Sequence, residues 1–327
     1  MRHSPIGRRK LLAAALVTGA APWQALAQTT SIDKPVTLVV PNAAGGAADS
    51  LARSLAEELS RRLRQTVIVE NLGGASGAIA AQKVLRSIPD GHTLLFGTTS
   101  DVVVTPIAMR SAGYSARDFT AIAKVGVTPM TLVARTGHGW TQADQMVALA
   151  RQKPTTLSVG TTGNASLQAF ATVALQRAAG IDLLAVPYKG GAPIITDLLG
   201  GTLDMAVVTL PGVLAQVRSG KLTMLGVLAE KRHPSAPELP TINEARGIKG
   251  VTVEIWAGLL GPAGMPAAVV DRISRAVREV LEDKEYSERR ARSGDMTVPW
   301  QPPADFAQFL KNEDERYRSL ATGLKLE

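Results

Sequence analysis

Strand-like and helix-like segments alternate along this chain from end to end, and that rhythm restricts the possible folds more than any other feature. Val36-Thr37-Leu38-Val39-Val40 is a β-branched run that stops at Pro41. After Gly45-Gly46, leucines recur every four residues (Leu51, Leu55, Leu59, Leu63), with arginines and glutamates on the other face, as in a one-sided helix. Val67-Ile68-Val69 predicts a second strand, residues 73–77 a glycine-rich loop, 78–88 a helix and 92–97 a third strand. The rhythm returns at Leu157-Ser158-Val159, followed by a helix through Leu167, Phe170, Ala174 and Leu175. Further strands are predicted at 183–186, 205–208 and 222–228. Two longer helical patterns follow, 267–283 with Val269, Ile273, Val277 and Val280 inward, and 305–320. Such alternation predicts α/β layers on mostly parallel strands.

Two apolar stretches, 120–134 (interrupted by Pro129) and 251–260, lie far apart in the chain. If both are crossing strands, residues 28–127 and 253–327 form one lobe and 128–252 the other. Two α/β domains joined by two crossing strands enclose a natural cleft with a natural hinge.

The first residues read as an export signal. Arg2, Arg8, Arg9 and Lys10 precede the apolar run 11–21, and Ala25-Leu26-Ala27 is a small-x-small cleavage site. Eleven apolar residues fall short of the ~20 that a membrane-spanning helix needs. The segment 1–27 is therefore expected to be removed, leaving a protein of the bacterial periplasm. Gly7-Arg8-Arg9-Lys10-Leu11-Leu12 admits either an ordinary secretory or a twin-arginine route. Removal takes away four basic residues and no acid, which halves the formal charge of +8. The remaining basic residues are scattered among acids, so nucleic acid is not an expected partner.

Several function classes lack their residues. The chain has no cysteine, hence no thiolate nucleophile, zinc finger or iron–sulfur cluster. There is no Gly-x-Ser-x-Gly elbow, no phosphate loop and no dinucleotide fingerprint. His3, His92, His138 and His233 are isolated, without metal-ligand spacing. No catalytic residue, metal or cofactor is expected. Asp49 and Glu70 flank glycine loops and could act as paired acid and base, although Asp49 also suits a helix cap. Lys189 could pair with a carboxylate or stand in solvent.

What does recur is strand, small-residue loop, helix: at 40–46, 70–77 and 160–166. Glycine lets a ligand approach the backbone, and N–H groups at a helix start attract an anion. Each such end contributes only about 0.3–1 kcal/mol, so useful affinity needs several loops converging. One glycine cluster alone reads as a tight turn; three in an exported two-lobed chain read as a binding site.

At these residues the chain resembles the substrate-binding receptors of tripartite tricarboxylate transporters, the Bug family. PNAAGGAADSLAR (41–53) is similar to that family's Pro-aromatic-x-x-Gly-Gly-x-x-Asp-x-x-Ala-Arg opening, and VENLGGASG (69–77) to its Val-Glu-Asn segment. Asp90-Gly91-His92-Thr93-Leu94-Leu95 stands where the family has Asp-Gly-Tyr-Thr-Leu. PYKGGAPIITDLLGGTLD (187–204) is the most family-specific block. Leu239-Pro240-Thr241, Trp256-Ala257-Gly258 and Pro262-Ala263-Gly264-Met265-Pro266 continue the match in order.

The resemblance implies a bilobed periplasmic binding-protein fold, monomeric, closing on a small carboxylate and delivering it transiently to membrane transporter subunits. It implies a site of Asn42, Ala43, Ala44 and Gly46 after the first strand, with Thr98, Thr99 and Ser100 after the third. The second lobe would add Thr161, Asn164, Ala165, Ser166, Lys189, Gly190, Thr209 and Pro211, acting largely through backbone groups and water. Asn42 stands where the family usually has an aromatic residue, and Leu167-Gln168-Ala169-Phe170 lacks a histidine often found there. Both departures bear on which carboxylate is bound. The alternatives are a receptor for a signalling system, or an α/β enzyme on an organic acid.

Overall fold

The computed structural model describes residues 33–322 except 43, 46, 164–165, 189–190, 235 and 293–296. The expected export signal lies outside the described residues. In chain order the elements are β1 (Val36–Val40), α1 (Ala47–Leu63), β2 (Val67–Asn71), α2 (Ala78–Leu85), β3 (Thr93–Thr98) and α3 (Thr105–Ala108). There follow β4 (Phe119–Arg135), α4 (Ala143–Gln152), β5 (Ser158–Thr161), α5 (Leu167–Ala179), β6 (Leu184–Pro187) and α6 (Gly191–Gly200). The remainder comprises β7 (Met205–Thr209), α7 (Leu210–Arg218), β8 (Leu222–Val227), β9 (Glu254–Pro262), α8 (Ala267–Leu281), α9 (Lys284–Arg292) and α10 (Pro303–Ala321).

The periodic leucines of α1 turn inward as their spacing requires: Leu55 and Leu59 are sealed and Leu51 and Leu63 nearly so. Val269, Ile273, Val277 and Val280 of α8 likewise face the core. β1 is hydrophobic on both faces because helices cover both. Val36, Leu38 and Val40 pack toward α1 and α8, while Val39 packs toward α2.

The strands form one continuous sheet in the order β2-β1-β3-β9-β4-β7-β5-β6, with β8 also paired to β4. The expectation of mostly parallel strands needs correcting. β2, β1 and β3 are parallel to one another, as are β6, β5 and β7, but every pairing made by β4 or β9 is antiparallel. The reason is directional. β4 carries the chain from the first parallel set to the second and β9 brings it back, so the two run oppositely.

β4 changes partners midway. Residues 119–129 pair with β9, and 130–135 with β7 and β8. Pro129, which has no N–H to give a ladder, sits at the changeover. Beside it three backbone bonds close a ring: Met130 N to Val253 O (3.2 Å), Val253 N to Leu228 O (2.8 Å) and Leu228 N to Met130 O (2.8 Å).

The core is divided unequally between the two faces of the sheet. On one face a single cluster runs under both strand sets, from Val39 and Leu95 through Met130 and Leu132 to Phe170 and Met205. α10 lies across it, and Tyr317 meets Phe170 of α5 edge-on, with ring centroids 5.7 Å apart. On the other face are two separate clusters, one of β1, β3, α1 and α8, the other of α6, α7, β7 and β8.

Candidate functional site

Strand direction sets where the loops meet. Thr98, the last residue of β3, pairs with Ala257 of β9, which pairs with Gly126 of β4. Thr209, the last residue of β7, pairs with Met130 of β4. β3 runs with β4 and β7 runs against it, so both carboxyl ends point into the interval between Gly126 and Met130. Four residues of strand span roughly 13 Å. The ends of β1 and β2 stop two residues short of that of β3, and those of β5 and β6 two residues short of that of β7. Loops beyond the carboxyl ends of two parallel strand sets thus face each other across one gap, the usual place for a ligand in an open α/β sheet.

On the β1 side, a linked set of three side chains holds Asn42 and Gly45. Asp49 accepts from Gly45 N (2.8 Å), from Asn71 Nδ2 (2.9 Å) and from Arg53 Nε (3.1 Å). Asn71 also donates to Asn42 O (3.2 Å) and accepts from Arg53 Nη2 (2.9 Å). The Arg53 hydrogen bond, then the Gly45 amide and Asn71, pull the Asp49 carboxyl down to about 2. Asp49 therefore stays ionised and works inside the helix, reaching back to the loop rather than standing before the helix as its N-cap. Glu70 forms an ion pair with Lys83 (2.5 Å). Neither carboxylate is placed as a poised base.

On the β3 side, the hydroxyls of the expected threonines turn inward. Thr98 donates from Oγ1 to Asp101 Oδ1 (2.5 Å) and from N to Asp101 Oδ2 (2.9 Å). Thr99 Oγ1 donates to Glu254 O (3.3 Å) and accepts from Trp256 N (2.9 Å), which fastens this loop to the start of β9. Ser100 opens a π-helical turn, Ser100–Val104, and is half-buried. Such turns are frequent at functional sites. Asp101 is 2% exposed.

Across the gap, Thr161 is sealed and its Oγ1 donates to Gly163 O (3.3 Å). Ser166 caps α5, accepting from Ala169 N (3.2 Å) while its own Oγ donates to Gly163 O (2.8 Å). Gly163, at φ +110°, makes the turn that permits both bonds. Thr209 precedes α7 with Pro211 in its first turn, and both are half-buried. Asn42 and Ala44 are exposed. Ala43, Gly46, Asn164, Ala165, Lys189 and Gly190 lie outside the described residues.

Sequence reasoning missed Asn71, Asp101 and Trp256, which hold the first set of loops. Asp101 carried a legible signal, a lone acid set against Val102-Val103-Val104. Among the described residues no group of histidines and acids could hold a metal ion. None of their helices is long and apolar enough to cross a membrane. Two depressions are lined by none of the candidate site residues, one between α7 and α9 (Leu214, Arg218, Glu288, Ala291, Arg292) and one beside α10.

Comparison with known proteins points the same way. The profile of the tripartite tricarboxylate transporter family receptor matches residues 51–326. A UPF0065 protein from the tcbD-tcbE intergenic region of a Pseudomonas species is 32% identical over 98% of this chain and 96% of its own. Among solved structures, R. palustris Rpa4515 with adipate superposes with a TM-score of 0.80 at 30% identity, covering 89% of this chain and 97% of that one. The periplasmic binding protein BugD superposes at 0.77 and 33% identity, covering 90% and 99%.

Proposed function

The chain belongs to the tripartite tricarboxylate transporter receptor family, and from that premise we propose that it is a periplasmic receptor for a small carboxylated metabolite. Residues 28–127 with 253–327, and residues 128–252, form its two lobes. It acts as a monomer, closes on the acid and passes it to membrane transporter subunits. The observation that carries this reading is the facing of two sets of strand ends across residues 126–130 of β4. The similarity to an adipate-bound protein supports a carboxylate as the class of ligand.

The ligand is held by backbone N–H groups of the loops at Asn42–Gly46, Thr98–Ser100, Thr161–Ser166, Lys189–Gly190 and Thr209–Pro211, with bridging water. Arg53 is engaged by Asp49 and Asn71, so a guanidinium clamp from that residue is not part of the proposal. The hydroxyls of Thr98, Thr99, Thr161 and Ser166 shape the loops, and the Thr98 amide is taken by Asp101, so the acid is met by the other amides of these loops. The protein performs no chemistry on its ligand: Asp49 is held ionised and Glu70 is paired.

Calorimetry against adipate, malate, citrate, glutamate and benzoate tests the reading. At least one acid is expected to bind with a Kd near micromolar, about −8 kcal/mol, and to be recovered unchanged. Failure of the whole panel to bind overturns the receptor; turnover of a bound acid makes it an enzyme. Alanine at Asn42 is expected to weaken binding less than tenfold, because truncation leaves the backbone donor in place.

A further inference from the structure

Asp101 lies where three loop corners come together. Its two carboxylate oxygens take the amide and the hydroxyl of Thr98 at the end of β3. Its Cβ packs so close to Gly77, in the turn before α2, that a Cβ there would fall 2.6 Å away; the same atom would fall 3.0 Å from Pro41 Cβ, at the end of β1. Tyr114 donates its hydroxyl to the Asp101 carbonyl and fixes the backbone from the other side. One buried acid therefore registers the corners after β1, β2 and β3 against each other.

Among the described residues nothing basic compensates this carboxylate. Its hydrogen-bond partners are neutral donors, and among the described residues no lysine, arginine or histidine contributes to its ionisation. Of the elements packed around it, β3, α3 and residues 75–77 carry no titratable side chain. On α2, Lys83 is taken by Glu70. On α10, Glu313 accepts from Trp256 and Arg316, and Asp314 from Arg318. The Tyr114 phenol is pushed upward by burial and then by the Asp101 charge, so it stays neutral.

We propose that Asp101 is the positioning residue of this half of the site, and that its carboxyl takes up a proton when a carboxylate ligand enters. This rests on the receptor reading above. The physical cause is repulsion between like charges in a poorly hydrated place. An anion held by the loops that Asp101 organises raises the cost of a second, buried negative charge, and protonation removes that cost. The acid form keeps its geometry: protonated on Oδ1 it donates to Thr98 Oγ1, while Oδ2 still accepts from Thr98 N. Burial already holds the Asp101 carboxyl up at about 6 against the Thr98 hydrogen bonds, so the exchange falls in an accessible pH range. Linkage then requires the affinity to rise as pH falls. If the ligand raises the acid by one further unit, the gain approaches tenfold between pH 8 and pH 5.

The test uses the full processed protein and the same five acids. Binding is measured from pH 8 to pH 5.5 in buffer pairs of different ionisation enthalpy, which counts protons taken up. Wild-type protein is expected to take up a fraction of a proton near pH 6.5 and to bind several-fold more tightly at pH 5.5 than at pH 8. Asp101→Asn keeps an oxygen for Thr98 but has no charge. It is expected to bind more tightly than wild type at pH 8 and to show only the pH slope of the acid's own titration. Equal slopes and proton counts in the two proteins overturn the proposal while leaving the receptor standing. An acid that binds wild type with no proton uptake does the same without need of the variant. If none of the acids binds at any pH, the receptor reading fails first and this inference with it.

Discussion

Gly77 shows how much of the site depends on a single missing atom. Its φ of +92° lies where side chains are rarely tolerated, and its Cα stands against Asp101 and Pro41. A methyl group would drive apart the corners that Asp101 joins. Gly77→Ala is expected to cost about 2–4 kcal/mol in denaturant unfolding, from strain and overpacking together. An unchanged midpoint would show that the three corners are not tightly registered. Asp101 makes a prediction of opposite sign. Its folded-state pKa is raised, so the stability it contributes is complete below the unfolded value near 4 and is lost as pH rises through about 6. Asp101→Asn should therefore be more stable than wild type at pH 8, by up to roughly 3 kcal/mol less the cost of weaker Thr98 bonds. The advantage should shrink to nothing, or reverse, at pH 4. Thermal unfolding across that range checks it, and a constant offset would mean that Asp101 does not titrate in the folded protein.

Among the elements, those set by local spacing were legible in the sequence and those set by distant pairing were not. α1 and α8 follow from leucines and valines at helical intervals, and their inward faces are the ones the spacing requires. β4 is different. Its apolar run marks a strand, but nothing local says that it leaves β9 for β7 at Pro129, because its partners lie more than seventy positions away in β7 and more than a hundred away in β9. The loops show the same division. Glycine and small residues announce a turn near a ligand, yet a threonine at a strand end reads alike whether its hydroxyl meets an acid or its own backbone. Here Thr98 gives its hydroxyl to the Asp101 carboxylate, and Thr99 gives its own to the Glu254 carbonyl. Equally hidden was the polar seam between α10 and the β4–β9 pair. Lys124 places its ammonium 3.9 Å over the Phe309 ring, and Glu254 and Glu313 are the charges that support it. Lys124→Met keeps the volume but removes the buried cation, leaving Arg316 alone beside Glu313 and Glu254. A loss of about 2–3 kcal/mol at pH 7.5 is expected in chemical denaturation. It should diminish as pH falls, because burial raises Glu254 and protonation relieves it early. A loss independent of pH would assign the lysine a packing role alone.

At the scale of the whole molecule, the unequal division of the core bears on how the two proposed lobes can move. On the face that carries α10, one apolar cluster passes beneath both strand sets, and separating them would expose Phe170, Tyr317 and Met130. On the opposite face the clusters are separate, and α7 and α9 border a groove instead of sharing a core. Rotation about the ring of Met130, Leu228 and Val253 thus costs little apolar contact on one face and much on the other. The motion expected on binding is a hinge whose back is the α5–α10 contact and whose mouth is the α7–α9 groove. The absence of cysteine lets label pairs be placed without background. Ala215→Cys with Glu288→Cys spans the mouth. Arg177→Cys with Thr322→Cys spans the back, where Arg177 Nη2 reaches Thr322 Oγ1 at 3.5 Å. Spin-label distances should differ by several ångströms between ligand-free and saturated protein at the mouth, and stay within the label's own spread at the back. Equal changes in both pairs would mean that the lobes slide rather than hinge. No change in either, in protein that calorimetry shows to be saturated, would mean that the receptor binds its acid in a preformed cleft.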